Sequence, residues 1–145
     1  MVCSATLARI WIKRAHRGKM DPAERASLVA SRGLVGNANQ GGHRQVTLLS
    51  DEHWRELTAH LDSPDPISRR ANLLLTGIDL RDSRGKTLRI GGCRIRIHGE
   101  TRPCERMDEA CDGLRSALSV PWGGGAFGEI LDDGEIAVGD SVVWE

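Results

Sequence analysis

Residues 86–98, KTLRIGGCRIRIH, decide the fold class. Cys93, Ile95 and Ile97 alternate with Arg94, Arg96 and His98, the period of a strand with one face in a core and the other in water. The run Lys86–Ile90 before it also has strand length, and only Gly91 and Gly92 separate the two. So short a link excludes a parallel crossover, which needs a dozen or more residues. The region therefore reads as antiparallel β structure.

Toward the N-terminus, Asp82–Lys86 (DSRGK) reads as a turn and Asn72–Thr76 (NLLLT) as an apolar strand. Asp62–Ser68 (DSPDPIS) is a loop, because Pro64 and Pro66 oppose both helix continuation and strand pairing. Before it, Ser50 predicts a helix N-cap, Asp51 and Glu52 suit the positive helix end, and Trp54, Leu57 and Leu61 share a face. A helix is expected from there to about Leu61. Gln45–Leu49 (QVTLL) is a strand, and Gly33–Gly42 (GLVGNANQGG) is a loop by its Gly and Asn content. Asp21, Pro22 and Glu24 resemble a helix start, so a helical turn and then a brief strand are predicted ahead of Gly33. Thr6–Lys13 (TLARIWIK) alternates again, with Leu7, Arg9, Trp11 and Lys13 on one side and Thr6, Ala8, Ile10 and Ile12 on the other.

Toward the C-terminus, Cys104–Ser119 places Met107, Ala110, Cys111, Leu114 and Leu118 at helical spacing, with Asp112 and Gly113 splitting it into two short helices. Gly123–Gly125 lead to an expected hairpin, FGEIL and EIAV about the turn Asp132–Gly134, and SVVW closes the chain. The reading is a mainly β, mostly antiparallel, barrel-like domain with short helical insertions, one domain over residues 1–145.

Charge narrows the function classes. Twenty Lys and Arg balance twenty Asp and Glu, so no whole-molecule field draws nucleic acid or anionic lipid, and any anion site must be local. Four Trp, one Phe and no Tyr leave little for a base-stacking platform. Neither nucleic acid nor a membrane is expected as a partner: no apolar run approaches a membrane span, and Arg9 and Lys13 interrupt the first apolar stretch. Cys3, Cys93, Cys104 and Cys111 form no CxxC pair, which fits reduced thiols in the cytoplasm. Lysine occurs only at Lys13, Lys19 and Lys86; the arginine excess suits phosphate and carboxylate recognition, although a coding bias in the source genome is the plainer explanation of it.

Three groups of residues could carry chemistry. Cys104 follows Pro103 at or just before a helix start, where helix-end amides, Arg102 and Arg106 would favour thiolate and Glu105 would oppose it. Arg69 and Arg70 precede NLLLT and Asn72 opens it, and together they could grip a phosphorylated heterocycle. Gly41, Gly42, His43 and Arg44 precede QVTLL and could form an anion nest. Each also has a plain reading: Cys104 as a small half-buried residue, the arginines as solvated, the glycines as a simple connection. Cys93 and Cys111 lie on apolar faces, and a zinc set of Cys93, His98, Cys104 and Cys111 lacks paired spacings. There is no GxSxG to support a serine hydrolase.

Taken together, GLVGN, HRQVTLLS, RRANLLLTGIDL, LRIGG, PCERM and GEIAVGD follow one another from Gly33 to Asp140 in an order that resembles the MOSC domain, the module named after the C-terminal part of molybdenum cofactor sulfurase. The resemblance implies a β-barrel-like fold, a site around Cys104, and binding of the molybdenum cofactor (molybdopterin) or transfer of sulfur to it. It implies that Cys104 ligates molybdenum, as in amidoxime-reducing relatives, or carries sulfur as a persulfide, as proposed for sulfurase-like ones. Arg70 and Asn72 match an RxN pattern beside the cofactor's phosphate or pterin side, and Arg44 and Arg102 would help hold the anionic end. Many relatives read Gly-Asp where this chain has Gly36 and Asn37, followed by Ala38 and Asn39, which puts an unaltered activity in doubt. Pyridoxal phosphate is not expected on this chain itself, so a separate cysteine desulfurase would load sulfur and a molybdoenzyme would receive it. The alternatives are a molybdenum-dependent reductase of N-hydroxylated compounds with an electron-transfer partner, or a non-catalytic interaction module.

Overall fold

The computed structural model describes residues 5–104 and 106–145; Cys3 and Glu105 lie outside the described residues. In chain order the strands and helices are β1 (Thr6–Lys13), β2 (Met20–Ala23), β3 (Arg25–Val29), β4 (Gly33–Leu34), β5 (Val46–Ser50), α1 (Asp51–Leu57), a 3-10 turn (Pro66–Arg69), β6 (Leu73–Thr76), β7 (Thr87–Ile90), β8 (Cys93–Glu100), α2 (Arg106–Ala110), α3 (Leu114–Ala117), β9 (Ala126–Ile130), β10 (Gly134–Ala137) and β11 (Val142–Trp144). The larger sheet runs β11-β7-β8-β9-β5-β6-β1-β2, and a small one runs β10-β3-β4. All pairings are antiparallel except β5 with β6, whose parallel crossover carries α1.

The large sheet curls until the chain leading into β11 reaches the start of β1, one strand in from the sheet's other end. Residues 139–142 hydrogen-bond to Ala5 and the start of β1: Leu7 N–H donates to the Asp140 carbonyl at 2.9 Å, Gly139 N–H to the Leu7 carbonyl at 2.8 Å and Val142 N–H to the Ala5 carbonyl at 3.0 Å. Among the described residues a single bridge, Thr6 with Ser141, marks this seam, so the two parts of the sheet touch through a few bonds rather than through a named strand pair. Leu7, Ile10, Leu48, Leu73, Leu75, Ile95, Ile97 and Ile130 fill one core. Trp11, Leu49 and Leu74 face a second, under Trp54, Met107, Leu114 and Leu118 from the helices. β6 is buried on both faces, which explains why NLLLT is continuously apolar rather than alternating.

β8 matches its alternation, with Cys93, Ile95 and Ile97 buried. In α1 the Ser50 hydroxyl accepts from His53 N–H, as the cap predicts. The helix stops at Leu57 rather than Leu61, because the Thr58 hydroxyl donates to the Trp54 carbonyl at 2.8 Å and the Trp54 indole donates to the Pro64 carbonyl, turning the chain back. Pro66 begins a 3-10 turn whose N-cap is Asp65, a one-turn structure that the prolines permit.

Three expectations are corrected. Asp21–Glu24 is not a helical turn: Met20–Ala23 is an edge strand on β1, where Pro22 lacks only an outward donor. The strict alternation of β1 fails at a bulge between Leu7 and Arg9, which puts Leu7 on the same side as Ile10 and Ile12 and opposite Trp11. β9 and β10 do not form a hairpin. β9 lies between β8 and β5, while β10 crosses to β3. The turn residues are held apart from a tight turn by side-chain bonds: Asp132 accepts from the Arg94 backbone and guanidinium, and Asp133 accepts from Ala30 N–H. Among the described residues no helix is long and apolar enough to cross a membrane.

Candidate functional site

The sheet order brings distant segments to one cavity of about 160 Å³. Lys13 comes from the end of β1, Asn37 and Asn39 from the loop after β4, Arg44 and Thr47 from before and within β5. Arg69, Arg70, Ala71 and Asn72 lead from the 3-10 turn into β6, and Thr101, Cys104, Arg106 and Met107 arrive from β8 and α2.

Asn72 is the hub of the wall. Its Oδ1 accepts from Thr47 N–H at 3.1 Å and from the Thr47 hydroxyl at 3.2 Å, and its Nδ2 donates to the Trp11 carbonyl at 3.0 Å and to Asn37 Oδ1 at 3.1 Å. With two acceptor sites and two donors, the side chain is fully used inside the protein, so it sets the geometry of β1, β5 and the 34–40 loop rather than offering a free group. Asn37 Oδ1 also accepts from Lys13 N–H at 2.9 Å, and Ala38 N–H donates to the Lys13 carbonyl at 2.7 Å. Gln40 Nε2 donates to the carbonyls of Leu34 and Asn37, which closes the loop on itself.

The arginine pair is positioned by backbone geometry. Arg70 ends the 3-10 turn in the left-handed region (φ 63°), a conformation costing about 1 kcal/mol for a residue with a Cβ. Its guanidinium is steered by donation to the Gly18 carbonyl at 2.6 Å. Arg69 Nε donates to the Gly124 carbonyl at 2.7 Å, and the Thr101 hydroxyl donates to that same carbonyl. Gly124 has to be glycine, because a Cβ there would strike the Thr101 carbonyl oxygen.

Five of the lining side chains are cationic (Lys13, Arg44, Arg69, Arg70, Arg106), and among the described residues none is a carboxylate. In a chain with no net charge this is a local concentration of positive charge. The cations strain one another. Burial, followed by Arg70, Arg44 and Arg106, holds the Lys13 ammonium below its ordinary pKa. Burial and then Arg106 lower Arg70, and burial and then Arg44 bring Arg69 down to about 10, against an opposing pull from Cys104. Arg69 keeps its proton at neutral pH, so the cavity remains positive and an anion would relieve it.

The expected residues converge in part. Cys104, Arg70, Asn72 and Arg44 share the cavity, Cys104 as an exposed thiol on its wall. Arg102 does not join them: it lines a separate depression beside Arg115 and Pro121, and its guanidinium faces Glu100 at 3.6 Å in water. The helix after Cys104 has five residues, so the helix-end argument for its reactivity is weak; the thiol's place in the cavity is the stronger feature. His43 turns away and meets the His98 ring edge-on at 5.0 Å. The Gly41 amide is spent on the Arg32 carbonyl, and of residues 41–44 Arg44 is the one that lines the cavity. Cys93 is buried, and burial with Asp132, Asp140 and Asp133 raises its pKa, so it is a packing thiol. Among the described residues no three His, Cys, Asp or Glu side chains gather as metal ligands. Lys13, Thr47, Thr101 and Met107 were not legible as site residues, since only the fold brings them there.

The sequence over residues 35–143 matches the MOSC domain. The chain belongs to the MOSC domain family. Members of this family are linked to functions of the molybdenum cofactor. Solved structures similar to this MOSC domain include the YuaD protein from Bacillus subtilis, with a TM-score of 0.83 at 17% identity over 97% of this chain and 94% of that one. YiiM from Geobacillus stearothermophilus gives 0.74 at 15% identity over 97% and 75%, and YiiM from Escherichia coli 0.65 at 15% over 100% and 70%. At these identities the likeness shows a shared fold. No curated protein matches the sequence.

Proposed function

We propose that this MOSC domain binds the molybdenum cofactor at the cation-lined cavity and engages it through Cys104, as a thiolate ligand or as a persulfide that carries sulfur. The observation that supports this most is an exposed cysteine on the wall of a cavity with five cationic side chains and no described carboxylate. The residues fit the group in two respects. Phosphate-bearing anions are gripped by guanidinium forks, which Arg44, Arg70 and Arg106 supply, and a soft metal or sulfane sulfur is taken by a thiolate. The cavity's volume suits the anionic end of a ligand, with the remainder lying across its open side.

When bound, the cofactor supplies a metal centre for redox or sulfur chemistry. The chain's own residues bind and orient: Arg70 and Lys13 hold charge at one wall, Arg69 is locked to Gly124, and Asn72 holds the strands that carry them. Loading Cys104 with sulfur would be a thiol–persulfide exchange. The Cys104 thiolate attacks the outer sulfur of a donor persulfide, a new S–S bond forms, the donor's S–S bond breaks, and the donor leaves as thiolate with no net oxidation. Exposure of Cys104 gives a separate cysteine desulfurase access to it.

The test is purification from a host that makes the cofactor, with molybdenum and pterin analysis and intact mass before and after reductant. Bound molybdenum and pterin, or a reductant-labile gain of one sulfur lost in Cys104→Ser, is expected. Absence of all three signals would remove the proposal.

A further inference from the structure

We infer that the basic hairpin joining β1 to β2, with the apolar depression at its foot, is a docking surface for an acidic segment of a partner protein that carries an apolar anchor side chain. What such a partner exchanges there rests on the reading of Cys104 as the point of delivery; the surface itself does not.

The stretch 13–19, KRAHRGK, holds Lys13, Arg14, His16, Arg17 and Lys19 and no acidic residue. Lys13 lines the cavity, whereas Arg14, His16, Arg17 and Lys19 are exposed on the connecting loop. The loop is pinned at its tip. Gly18 N–H donates to the Ala15 carbonyl at 2.9 Å, and the Gly18 carbonyl accepts from the Arg70 guanidinium at 2.6 Å. Arg14 shares its charge with Asp21 at 3.2 Å, which leaves Arg17 and Lys19 as the cations that the hairpin presents to water.

Lys19 also stands on the rim of a depression of about 410 Å³, outside the cavity but sharing Arg70 and Arg106 with it. Met20, Ile67 and Ala110 supply apolar surface there, and Glu109 is its one carboxylate among the described residues. A segment seated in this depression would end beside the cavity that Cys104 lines. Because the whole chain has no net charge, the basic excess on this face leaves the rest of the molecule acidic. The resulting field is directional: it orients an acidic partner and speeds its encounter in dilute salt.

The details favour a peptide over other polyanions. Nucleic acid would meet the Glu109 carboxylate and, among the described residues, no aromatic side chain in the depression on which to stack a base. An anionic membrane would meet a tip, Ala15–Gly18, with no large apolar side chain to insert. An acidic peptide matches each feature, with carboxylates for Arg17, Lys19 and Arg106, an apolar side chain for Met20 and Ile67, and a backbone N–H for Glu109. Pro22 blunts the outer edge of β2, so recognition runs through side chains rather than through an added strand.

The experiment measures fluorescence anisotropy of a labelled seven-residue peptide, leucine at its centre and aspartate or glutamate elsewhere, titrated with the full chain in dilute salt at neutral pH. Wild type should bind, more weakly as salt is added, and Arg17→Glu/Lys19→Glu should lose at least tenfold. Arg102→Glu/Arg115→Glu, with the same change of net charge on a separate depression, should stay within twofold. A peptide with serine in place of leucine should bind at least threefold more weakly. No binding by wild type, equal losses in the two double variants, or no preference for leucine overturns the inference. So does tighter binding of a single-stranded oligonucleotide or of phosphatidylserine vesicles than of the peptide. Should Arg17→Glu/Lys19→Glu not fold by circular dichroism, Lys19→Ser replaces it, with a threefold loss expected and undiminished affinity overturning the inference. Peptide binding by a protein that purifies without molybdenum, pterin or persulfide would keep the docking surface and remove the cofactor reading; a loaded protein that ignores the peptide would remove the docking surface alone.

Discussion

Asn72 Nδ2 donates to Asn37 Oδ1 at 3.1 Å, and that bond joins the start of β6 to the loop after β4 across the floor of the cavity. The same amide takes Thr47 and the Trp11 carbonyl, so one buried side chain ties three strands and a loop. Asn72→Ala should therefore be a stability mutation first. It would orphan the Trp11 carbonyl and the Thr47 amide, and a loss of about 2–4 kcal/mol is expected in urea unfolding at unchanged m-value. A loss under 1 kcal/mol would mean that water replaces these bonds and that the hub assignment is mistaken.

The cysteines should separate by accessibility. Cys104 is exposed and Cys93 is 2% exposed, with burial and three nearby aspartates raising the Cys93 pKa. Alkylation with iodoacetamide at neutral pH, mapped by peptide mass, should label Cys104 in the native protein and Cys93 only after denaturation. Labelling of Cys93 at the Cys104 rate would contradict the packing of β8 against β7 and β9.

Local patterns carried the fold where one face meets water. β8, the Ser50 cap and the Asp112–Gly113 break were readable because alternation, capping and glycine act within a few residues. Pairings decided by distant partners were not. Asp21–Pro22 has a helix-start signature, yet an open edge beside Trp11 wins, and the turn at Asp132 looks like a hairpin until Arg94 claims its carboxylate. The site followed the same rule. Cys104, Arg70 and Arg44 stood beside recognisable motifs, whereas Lys13 looks like an ordinary strand end until the sheet order brings the end of β1 beside them.

Arg102 supplies a control within the same motif. Its side chain is 86% exposed, and its contact with Glu100 is long, so screening leaves little energy in it. Arg102→Ala should change stability by less than about 0.5 kcal/mol and leave phosphate affinity within twofold, while Arg70→Ala should weaken it roughly tenfold, about 1.4 kcal/mol. Equal losses from both would show that the anion lies outside the cavity.

Lys13 gives the pH test. Its folded pKa is below the unfolded 10.5, because burial and the guanidinium groups of Arg70, Arg44 and Arg106 disfavour the ammonium. Below the folded pKa both states carry the proton and the penalty is present in full. As pH rises from the folded pKa toward 10.5 the folded state releases its proton first, the unfolded state binds more protons, and stability increases. Lys13→Met should accordingly raise stability slightly at neutral pH, by up to about 0.5 kcal/mol, and should abolish its share of the rise at alkaline pH. The same variant should lose phosphate affinity roughly tenfold, since the charge that burdens the empty cavity is the one that an oxyanion would neutralise. Urea midpoints across pH, with and without phosphate, check both halves: a variant that is less stable without phosphate, or that gains as much from phosphate as wild type, would place Lys13 outside the anion site.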